Sequence, residues 1–198
     1  MNYLAHARLS FDQPGILEGN MISDFVKGKK KFDFSPIIQK GIALHRAIDD
    51  FTDFHPVTYN AKTYFRKEYR LYSGAFVDIV YDHFLANDKR EFADDTKLET
   101  FAQATYAALQ SSSRELPVKF VQLLPYMQKQ NWLYHYRLRE GIERSFEGLV
   151  RRAAYLSESA AAFEIFNVHY NELEECYQLF FPELKEFSIR CLERLNDT

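Results

Sequence analysis

The sequence predicts an all-α protein, a single-domain helical bundle over residues 1–198. Only 7 Gly and 6 Pro occur in 198 residues, and this is too few for the regularly spaced turns of a β-sandwich or barrel. Hydrophobic residues make up 46% of the chain and recur at helical spacing over most of it. No repeat, low-complexity tract or long linker divides the chain. One helical core is therefore expected.

Two short helical segments are predicted first. Residues 1–9 read as a short helix or an extended arm, stopped by the turn pair Pro14-Gly15. A second short helix opens at Gly19-Asn20, with the Asn as its cap. The basic run at 27–31 closes this helix, in accord with the helix dipole.

Longer helices follow, each bounded by a cap or a turn signal. Ser35-Pro36 combines a cap with a proline at the first helical position, and predicts a helix to about Phe54. Pro125 is expected to kink or split its segment, and Pro182 to separate two helices. The other helices are predicted at about 57–72, 75–86, 94–112, 117–130, 131–139, 141–156, 160–181 and 183–195.

Charge and composition exclude several classes of function. The 25 Lys and Arg against 28 Asp and Glu give a net charge of -3, which argues against wholesale binding to nucleic acid. No apolar run reaches the roughly 18 residues that span a bilayer, and the N-terminus lacks a signal-peptide core. The two cysteines form no CxxC motif and fit a reducing compartment. We expect a soluble cytoplasmic protein that acts through local sites, with no nucleic-acid or membrane partner.

The first candidate site lies in the segment 75–86, where Asp78, Asp82 and His83 are the strongly polar residues. A helix that is apolar nearly all round is a buried helix. Two carboxylates at i,i+4 share a face there, repel each other and are costly to desolvate. We expect a cation to pair with these carboxylates. It is either a metal ion, an adjacent protonated His, or a buried Arg or Lys.

The second candidate site is the line His45, Asp49 and Asp53, spaced i,i+4,i+8 in the segment 41–56. Apolar residues interleave with this line, so it faces an apolar neighbourhood. His and Asp one turn apart suit two ligands of one metal, or a ligand His oriented by a carboxylate. The alternative is a surface helix with ordinary i,i+4 hydrogen bonds.

Weaker signals repeat the i,i+4 spacing elsewhere. Asn2 with His6, and Asn20 with Asp24, are two such pairs near the N-terminus. A basic stripe has the same spacing and, together with the lysines of 27–31, is suited to phosphates or to an acidic protein, unless it is simply a solvated face. The stripe consists of Lys62, Arg66 and Arg70.

Several ordered motifs together resemble one family, the acyl carrier protein phosphodiesterases. They are MNYLAH, GNMISDFVKG, GIALHRAIDDFTDFHP, VDIVYDHFL, NWLYHYRLREGIERSFEGLVRR and HYNELEECYQLFFPEL. The resemblance covers nearly the whole chain. It implies an all-helical, HD-domain-like enzyme, related to the HD phosphohydrolases, that uses manganese or a similar divalent ion. The reaction it implies is removal of the 4'-phosphopantetheine group from holo acyl carrier protein, an acidic protein partner.

The resemblance also assigns roles to residues. It implies a metal site built from His45, Asp49, Asp82 and His83, although the chain has only the reversed pair Asp82-His83 in place of a His-Asp dipeptide. The catalytic candidates under the resemblance are His6, Asp24, Asp49 and His83, with His6 or His83 as the general acid. The candidate substrate-binding residues are Arg46, Arg66, Arg70 and Lys27.

Two other functions fit the same residues. One is an HD-type hydrolase of a nucleotide or another small phosphodiester, in which the basic residues bind the substrate itself. The other is a non-enzymatic helical binding module, in which the His and Asp groups form a satisfied buried network.

Overall fold

Helices make up most of the chain in the computed structural model, which describes residues 1–112 and 116–197. No strand occurs within these ranges, so the predicted all-α class is confirmed. The predicted domain 1–198 also includes 113–115 and 198, which lie outside the described residues. The α-helices are α1 (Tyr3–Arg8), α2 (Pro14–Ile22), α3 (Pro36–Phe54), α4 (Pro56–Tyr69), α5 (Ser73–Asn87), α6 (Asp95–Ser111), α7 (Val118–Lys129), α8 (Trp132–His135), α9 (Arg139–Arg152), α10 (Ala160–Val168) and α11 (Tyr170–Asn196).

Short 3-10 helices connect some of these elements. They span Ser23–Phe25, Gly28–Asp33 and Arg70–Tyr72. The last one turns the chain between α4 and α5, with Arg70 at a positive φ of 47°. No helix among the described residues is both long and apolar enough to cross a membrane.

The helix α5 lies at the centre of the fold. Its apolar residues are buried on all sides, and Phe76, Val80 and Tyr81 are fully inaccessible. It contacts α1, α4, α9 and α11. The prediction that this segment is a buried helix is confirmed, because a helix without a polar face has no side to present to water.

Aromatic rings fill the space around α5. On one side Phe76 stacks on Phe65 of α4 and meets Phe146 of α9 edge to face. On the other side Tyr81 stacks on Phe180 of α11, with ring centroids 5.1 Å apart. Ring pairs of this kind stabilise a core beyond the area that they bury. They fix α5 relative to the helices on both sides.

The helices α2 and α3 approach each other unusually closely at a pair of glycines. A Cβ atom on Gly19 would lie 2.1 Å from the carbonyl oxygen of Ile38, and one on Gly41 would lie 2.4 Å from that of Ile16. Neither position can carry a side chain unless the backbones separate. The glycines thereby set the distance between the residues that α2 and α3 bring together.

Two predicted boundaries near the N-terminal end need correction. The second helix begins at Pro14, not at Gly19-Asn20, because a proline fits the first helical turn, where its missing N–H has no partner to lose. Asn20 therefore lies inside α2 and does not cap it. The helix predicted at about 75–86 also begins earlier, because α5 starts at Ser73.

Two proline predictions also need correction. Pro125 lies within α7 and does not split it, and Pro182 lies within the single helix α11. Pro182 and Gln178, whose carbonyl loses its intrahelical donor, are both exposed, so water can reach that carbonyl. The buried face of α11 continues in register from Tyr177 to Leu184. The break in this region falls instead at His169, between α10 and α11.

Candidate metal centre

Two histidines from different helices stack on one another at one end of the bundle. His6 comes from α1 and His45 from α3, and their ring centroids are 3.9 Å apart with an angle of 15° between the planes. Both side chains are nearly inaccessible, with residue exposures of 3% and 5%. The two imidazoles therefore present their edges in the same direction.

Asn20 of α2 orients both rings. Its side-chain Oδ1 lies 2.7 Å from Nδ1 of His6, and its backbone oxygen lies 2.7 Å from Nδ1 of His45. The amide Nδ2 of Asn20 donates to the backbone oxygen of His6 and to Ser10, which fixes the amide orientation. Both partners of the rings are thus oxygens that only accept, so each Nδ1 carries a hydrogen.

The opposite ring nitrogens face carboxylates. Nε2 of His6 lies 3.2 Å from Oδ1 of Asp49, and Nε2 of His45 lies 3.0 Å from Oδ2 of the same carboxylate. Nε2 of His45 also lies 3.3 Å from Oδ1 of Asp24. Both Nε2 atoms are buried and have no well-formed hydrogen bond.

This arrangement is unfavourable without a cation. A neutral imidazole with hydrogen on Nδ1 has a lone pair on Nε2, and here two lone pairs point toward carboxylate oxygens. A proton or a metal ion between them removes the repulsion. Metal-binding histidines commonly ligate through one nitrogen while the other donates to a carbonyl, and the candidate ligand atoms of His6, His45 and Asp49 all lie within 4.8 Å of one another. The donor set fits a divalent ion.

The pKa values of the two rings move apart. Burial acts to lower the pKa of His45, but the Asp24 and Asp49 carboxylates outweigh it and raise that pKa to about 9. Burial and the neighbouring His45 lower the pKa of His6 to about 4, despite Asp49. For Asp49, burial opposes ionisation, yet the two histidines hold its pKa well below the usual range. The two carboxylates thus favour the protonated form of His45, and burial favours the neutral form of His6.

The N-terminal ammonium of the chain lies beside this cluster. The nitrogen of Met1 is inaccessible to solvent and lies 3.1 Å from Asp78 and 3.5 Å from Asp49. Burial would lower its pKa, but the two carboxylates raise it to about 10. Asp78 thus faces this amine in place of the metal ion, protonated His or buried Arg or Lys that was predicted, while Asp82 accepts backbone hydrogen bonds. The spacing of residues within one helix could not predict these contacts of the Met1 amine, because they join residues that are 48 and 77 positions apart in the chain.

The structure does not bring Asp82 and His83 to the cluster. Both oxygens of Asp82 accept backbone hydrogen bonds at the start of α1, from Leu4 at 2.7 Å and Ala5 at 3.2 Å. His83 contacts the backbone oxygen of Tyr136 through Nδ1 and the hydroxyl of Tyr170 through Nε2. No hydrogen bond or ion pair among the described residues joins either side chain to His6, His45 or Asp49. Burial raises the pKa of Asp82 to about 7 and lowers that of His83 to about 4.

The predicted basic residues fall into two groups. Arg46 of α3 donates to the backbone oxygen of Val26, and Lys27 is the next residue of the chain after Val26. Arg66 lies over the ring of Tyr59 on α4 and donates to its hydroxyl. The structure places no contact between this second group and the His6–Asp49 cluster. Its other members are Arg70, which is exposed in the turn after α4, and Lys62, which pairs with Asp53 at 2.7 Å.

The fold and this site define an all-helical protein in which two buried histidines and a partly exposed aspartate offer donor atoms for one metal ion. The chain belongs to the acyl carrier protein phosphodiesterase family, because the family model of that description matches residues 1–184. Among its relatives is a Yersinia pestis protein named acyl carrier protein phosphodiesterase. It is 32% identical over 184 residues, which cover 93% of this chain and 95% of the relative.

Two Salmonella proteins of the same name are similar to the same extent. The paratyphi A and dublin proteins are each 31% identical over 184 residues, again covering 93% of this chain and 95% of their own length. No solved structure matches the chain. The assignment to the family therefore depends on sequence similarity, and the geometry of the cluster depends on the fold described above.

Proposed function

We propose that this protein hydrolyses the phosphodiester that joins 4'-phosphopantetheine to a serine of holo acyl carrier protein, with a divalent cation at the His6–His45–Asp49 cluster. The observation that carries the proposal is the pair of buried Nε2 atoms facing one carboxylate. The family supports the substrate, since the relatives are named for it. Manganese is the proposed ion because the family resemblance implies it, and the nitrogen and carboxylate donors of the cluster are ligands of divalent metals.

Three side chains would hold the cation, namely His6 and His45 through Nε2 and Asp49 through its carboxylate. Bound there, a divalent ion would supply positive charge for the phosphate oxygens and would make water a better nucleophile. Asn20 fixes the orientation of both rings through their Nδ1 atoms. The ligand atoms are thus preorganised.

Asp24 is the accessible carboxylate of the site, since its side chain is 72% exposed against 38% for Asp49. We assign it the proton from the attacking water. In the overall reaction, water adds to phosphorus, the bond from phosphorus to the serine oxygen breaks, and that oxygen takes up a proton. The products are apo acyl carrier protein and 4'-phosphopantetheine. Arg46, which donates to the backbone oxygen of Val26, and Lys27 are the proposed contacts to the phosphate.

For Asp82 and His83 we propose a positioning role. Asp82 holds the start of α1, which carries His6. His83 links α5 to the segment after α8 and to α11. We also propose that Arg66 and Arg70 bind the substrate, at a place where neither residue contacts the cluster. The free, buried thiols of Cys176 and Cys191 are in keeping with action in the cytoplasm.

Intact-mass measurement tests substrate and reaction together. Holo acyl carrier protein is incubated with the protein and Mn²⁺, and we expect the carrier to lose the mass of one phosphopantetheinyl group. The same incubation with a chelator should leave the carrier unchanged. Hydrolysis of nucleotides with no effect on the carrier would favour the small-phosphodiester hydrolase. The absence of both activities, with no metal binding, would favour a binding module.

A further inference from the structure

A cavity of about 590 Å³ lies between α8, α9 and α1, the helix that carries His6. Most of its lining comes from the segment that runs from Gln130 to Arg152, which contains the family-like motif NWLYHYRLREGIERSFEGLVRR. That motif contributes no residue to the His6–Asp49 cluster. Its place in the structure is the wall of this cavity.

The short helix α1 joins the cavity to the cluster. Tyr3 lies on the cavity wall, and His6, one turn later, lies in the cluster. Burial and then the Asp24 carboxylate raise the pKa of the Tyr3 hydroxyl to about 12, against the opposing charge of Arg152. Asp24 and Arg152 thus both act on the charge of the Tyr3 hydroxyl, in opposite directions. A substrate whose phosphate is at the cluster can extend past Tyr3 into the cavity.

The cavity walls suit a chain that alternates aliphatic and amide groups. Ile79 and Tyr136 offer apolar surface, and the ring of Trp132 lies 6.3 Å from that of Tyr3. Asn2 and Gln130 use their side-chain oxygens within the protein, accepting from Tyr3 and from Trp132. Their amide nitrogens make no hydrogen bond to the described residues, so they can donate to carbonyl groups of a ligand.

The rim of the cavity carries more positive than negative side chains, because Glu147 is the one carboxylate among its lining residues. It includes three exposed arginines of α9, and none forms an ion pair with a described carboxylate. A ligand chain that projects from an acidic protein would bring negative charge to this rim, and electrostatic complementarity of this kind favours association. The volume also falls within the range of about 300 to 1,000 Å³ typical of ligand sites. The three arginines are Arg144, Arg151 and Arg152.

We propose that this cavity binds the pantetheine arm of the carrier protein, with the arm extended from the phosphate at the cluster past Tyr3 to Trp132. The inference rests on the proposed function for the identity of the substrate. It adds the site that distinguishes a phosphopantetheinyl ester from other phosphodiesters. Trp132, Asn2 and Gln130 become specificity-determining residues for the arm.

Gly148 offers a way to fill the cavity. It lines the wall, and a Cβ placed there would meet only the guanidinium of Arg152, at 3.4 Å. Gly148→Leu should therefore occupy the cavity without disturbing the helix backbone. Glu143→Leu is the matched control, because Glu143 is exposed on the same helix and does not line the cavity.

Trp132 gives a direct readout, because it is the only tryptophan of the chain. Pantetheine and 4'-phosphopantetheine are titrated into the wild-type protein without added metal, and tryptophan emission is recorded. We expect a saturable change for both. Gly148→Leu should weaken binding of pantetheine by about tenfold or more, a loss of about 1.4 kcal/mol, whereas Glu143→Leu should match the wild type.

Absence of a saturable response at millimolar pantetheine would overturn the proposal, and so would equal responses in wild type and Gly148→Leu. The proposed function is tested by a separate measurement, the mass of holo acyl carrier protein after incubation with the protein and Mn²⁺. Hydrolysis of the carrier with no pantetheine response in the cavity would reject the binding site alone. Pantetheine binding with an unchanged carrier would reject the hydrolysis alone.

Discussion

Asn20 shows how much of the candidate centre depends on one residue. Through its side chain and its backbone oxygen it faces Nδ1 of both histidines. It thereby selects the tautomer in which each Nε2 is free to ligate. The sequence pairs Asn20 with Asp24 at i,i+4, but that spacing does not indicate contacts to residues 14 and 25 positions away.

Asp49→Asn should abolish the response of the protein to metal. The change removes the charge that both Nε2 atoms face, so we expect Mn²⁺ to lose its effect on the melting temperature. In the wild type, an ion at 100 times its Kd stabilises the folded state by about 2.7 kcal/mol. Differential scanning fluorimetry with and without Mn²⁺ measures the response. Asp50→Asn, at the exposed neighbour on the same helix, should keep it, and a normal response in Asp49→Asn would contradict the ligand assignment.

Asp82→Asn should act on stability first. One of the two backbone N–H groups at Leu4 and Ala5 would then face an amide donor, and leaving a buried donor without an acceptor costs about 1 to 3 kcal/mol. Urea unfolding without metal measures that loss. The variant should still be stabilised by Mn²⁺ where it is folded. Unchanged stability together with a lost metal response would instead make Asp82 a ligand.

The site could be predicted only in part from the sequence. His45 and Asp49 follow from their spacing on one amphipathic helix, and the structure places them 3.0 Å apart. His6 and Asp24 became candidates through the resemblance, because nothing local relates α1 to α3. The Met1 ammonium and the roles of Asp82 and His83 depend on the tertiary packing, which helical spacing does not encode.

At the scale of the helices, the crossing of α2 and α3 is the feature most sensitive to change. Gly41→Ala would place a Cβ 2.4 Å from the carbonyl oxygen of Ile16, and the helices must separate to accommodate it. Overpacking of this kind costs typically about 1 to 3 kcal/mol. Separation would also stretch the contact between Asn20 and His45, so metal binding should weaken.

Gly148→Ala is the matched control for Gly41→Ala. Its new Cβ would meet one guanidinium nitrogen at 3.4 Å, and replacing a helical glycine by alanine gains about 0.5 to 1 kcal/mol. Thermal melts and Mn²⁺ titrations of both variants give the comparison. Equal stabilities would mean that the α2–α3 crossing tolerates a methyl group.

The helical pattern was predictable where caps and buried faces agree. The helix α3 spans Pro36–Phe54 as expected, with Pro36 in its first turn, although the Ser35 side chain makes no capping hydrogen bond. The predicted break at Pro182 is wrong. Proline lacks the N–H that would bond to the carbonyl four residues earlier, but this loss costs little because water can bind that carbonyl. The continuous buried face of α11 against α3 and α4 then outweighs the local preference. The presence of a proline in the sequence does not tell whether the helix residues before and after it are buried on the same face.

At the scale of the whole molecule, His83 joins three parts of the fold and should make its stability depend on pH. Burial lowers the pKa of His83 to about 4, while an unfolded chain has a His pKa of about 6.5. Below pH 6.5 the unfolded state binds the proton first. The stabilising contribution is therefore complete above about pH 6.5 and is lost as the pH falls toward 4.

His83→Asn tests this dependence, because an Asn amide can still donate to Tyr136 and does not titrate. The difference in pKa corresponds to about 3 kcal/mol, so the wild type should lose up to that much more stability than the variant between pH 7 and pH 4. Urea unfolding at several pH values measures the difference. Parallel curves for the two proteins would show that His83 is not held neutral in the folded state.

The capture of α1 by Asp82 has a consequence for synthesis on the ribosome. All three candidate ligands, His6, His45 and Asp49, emerge within the first quarter of the chain, and synthesis proceeds at about 5 to 20 residues per second. The helix that carries His6, however, is held by a carboxylate from residue 82. The nascent chain thus exposes its ligands before it can arrange them, and the centre matures only after α5 has emerged and docked.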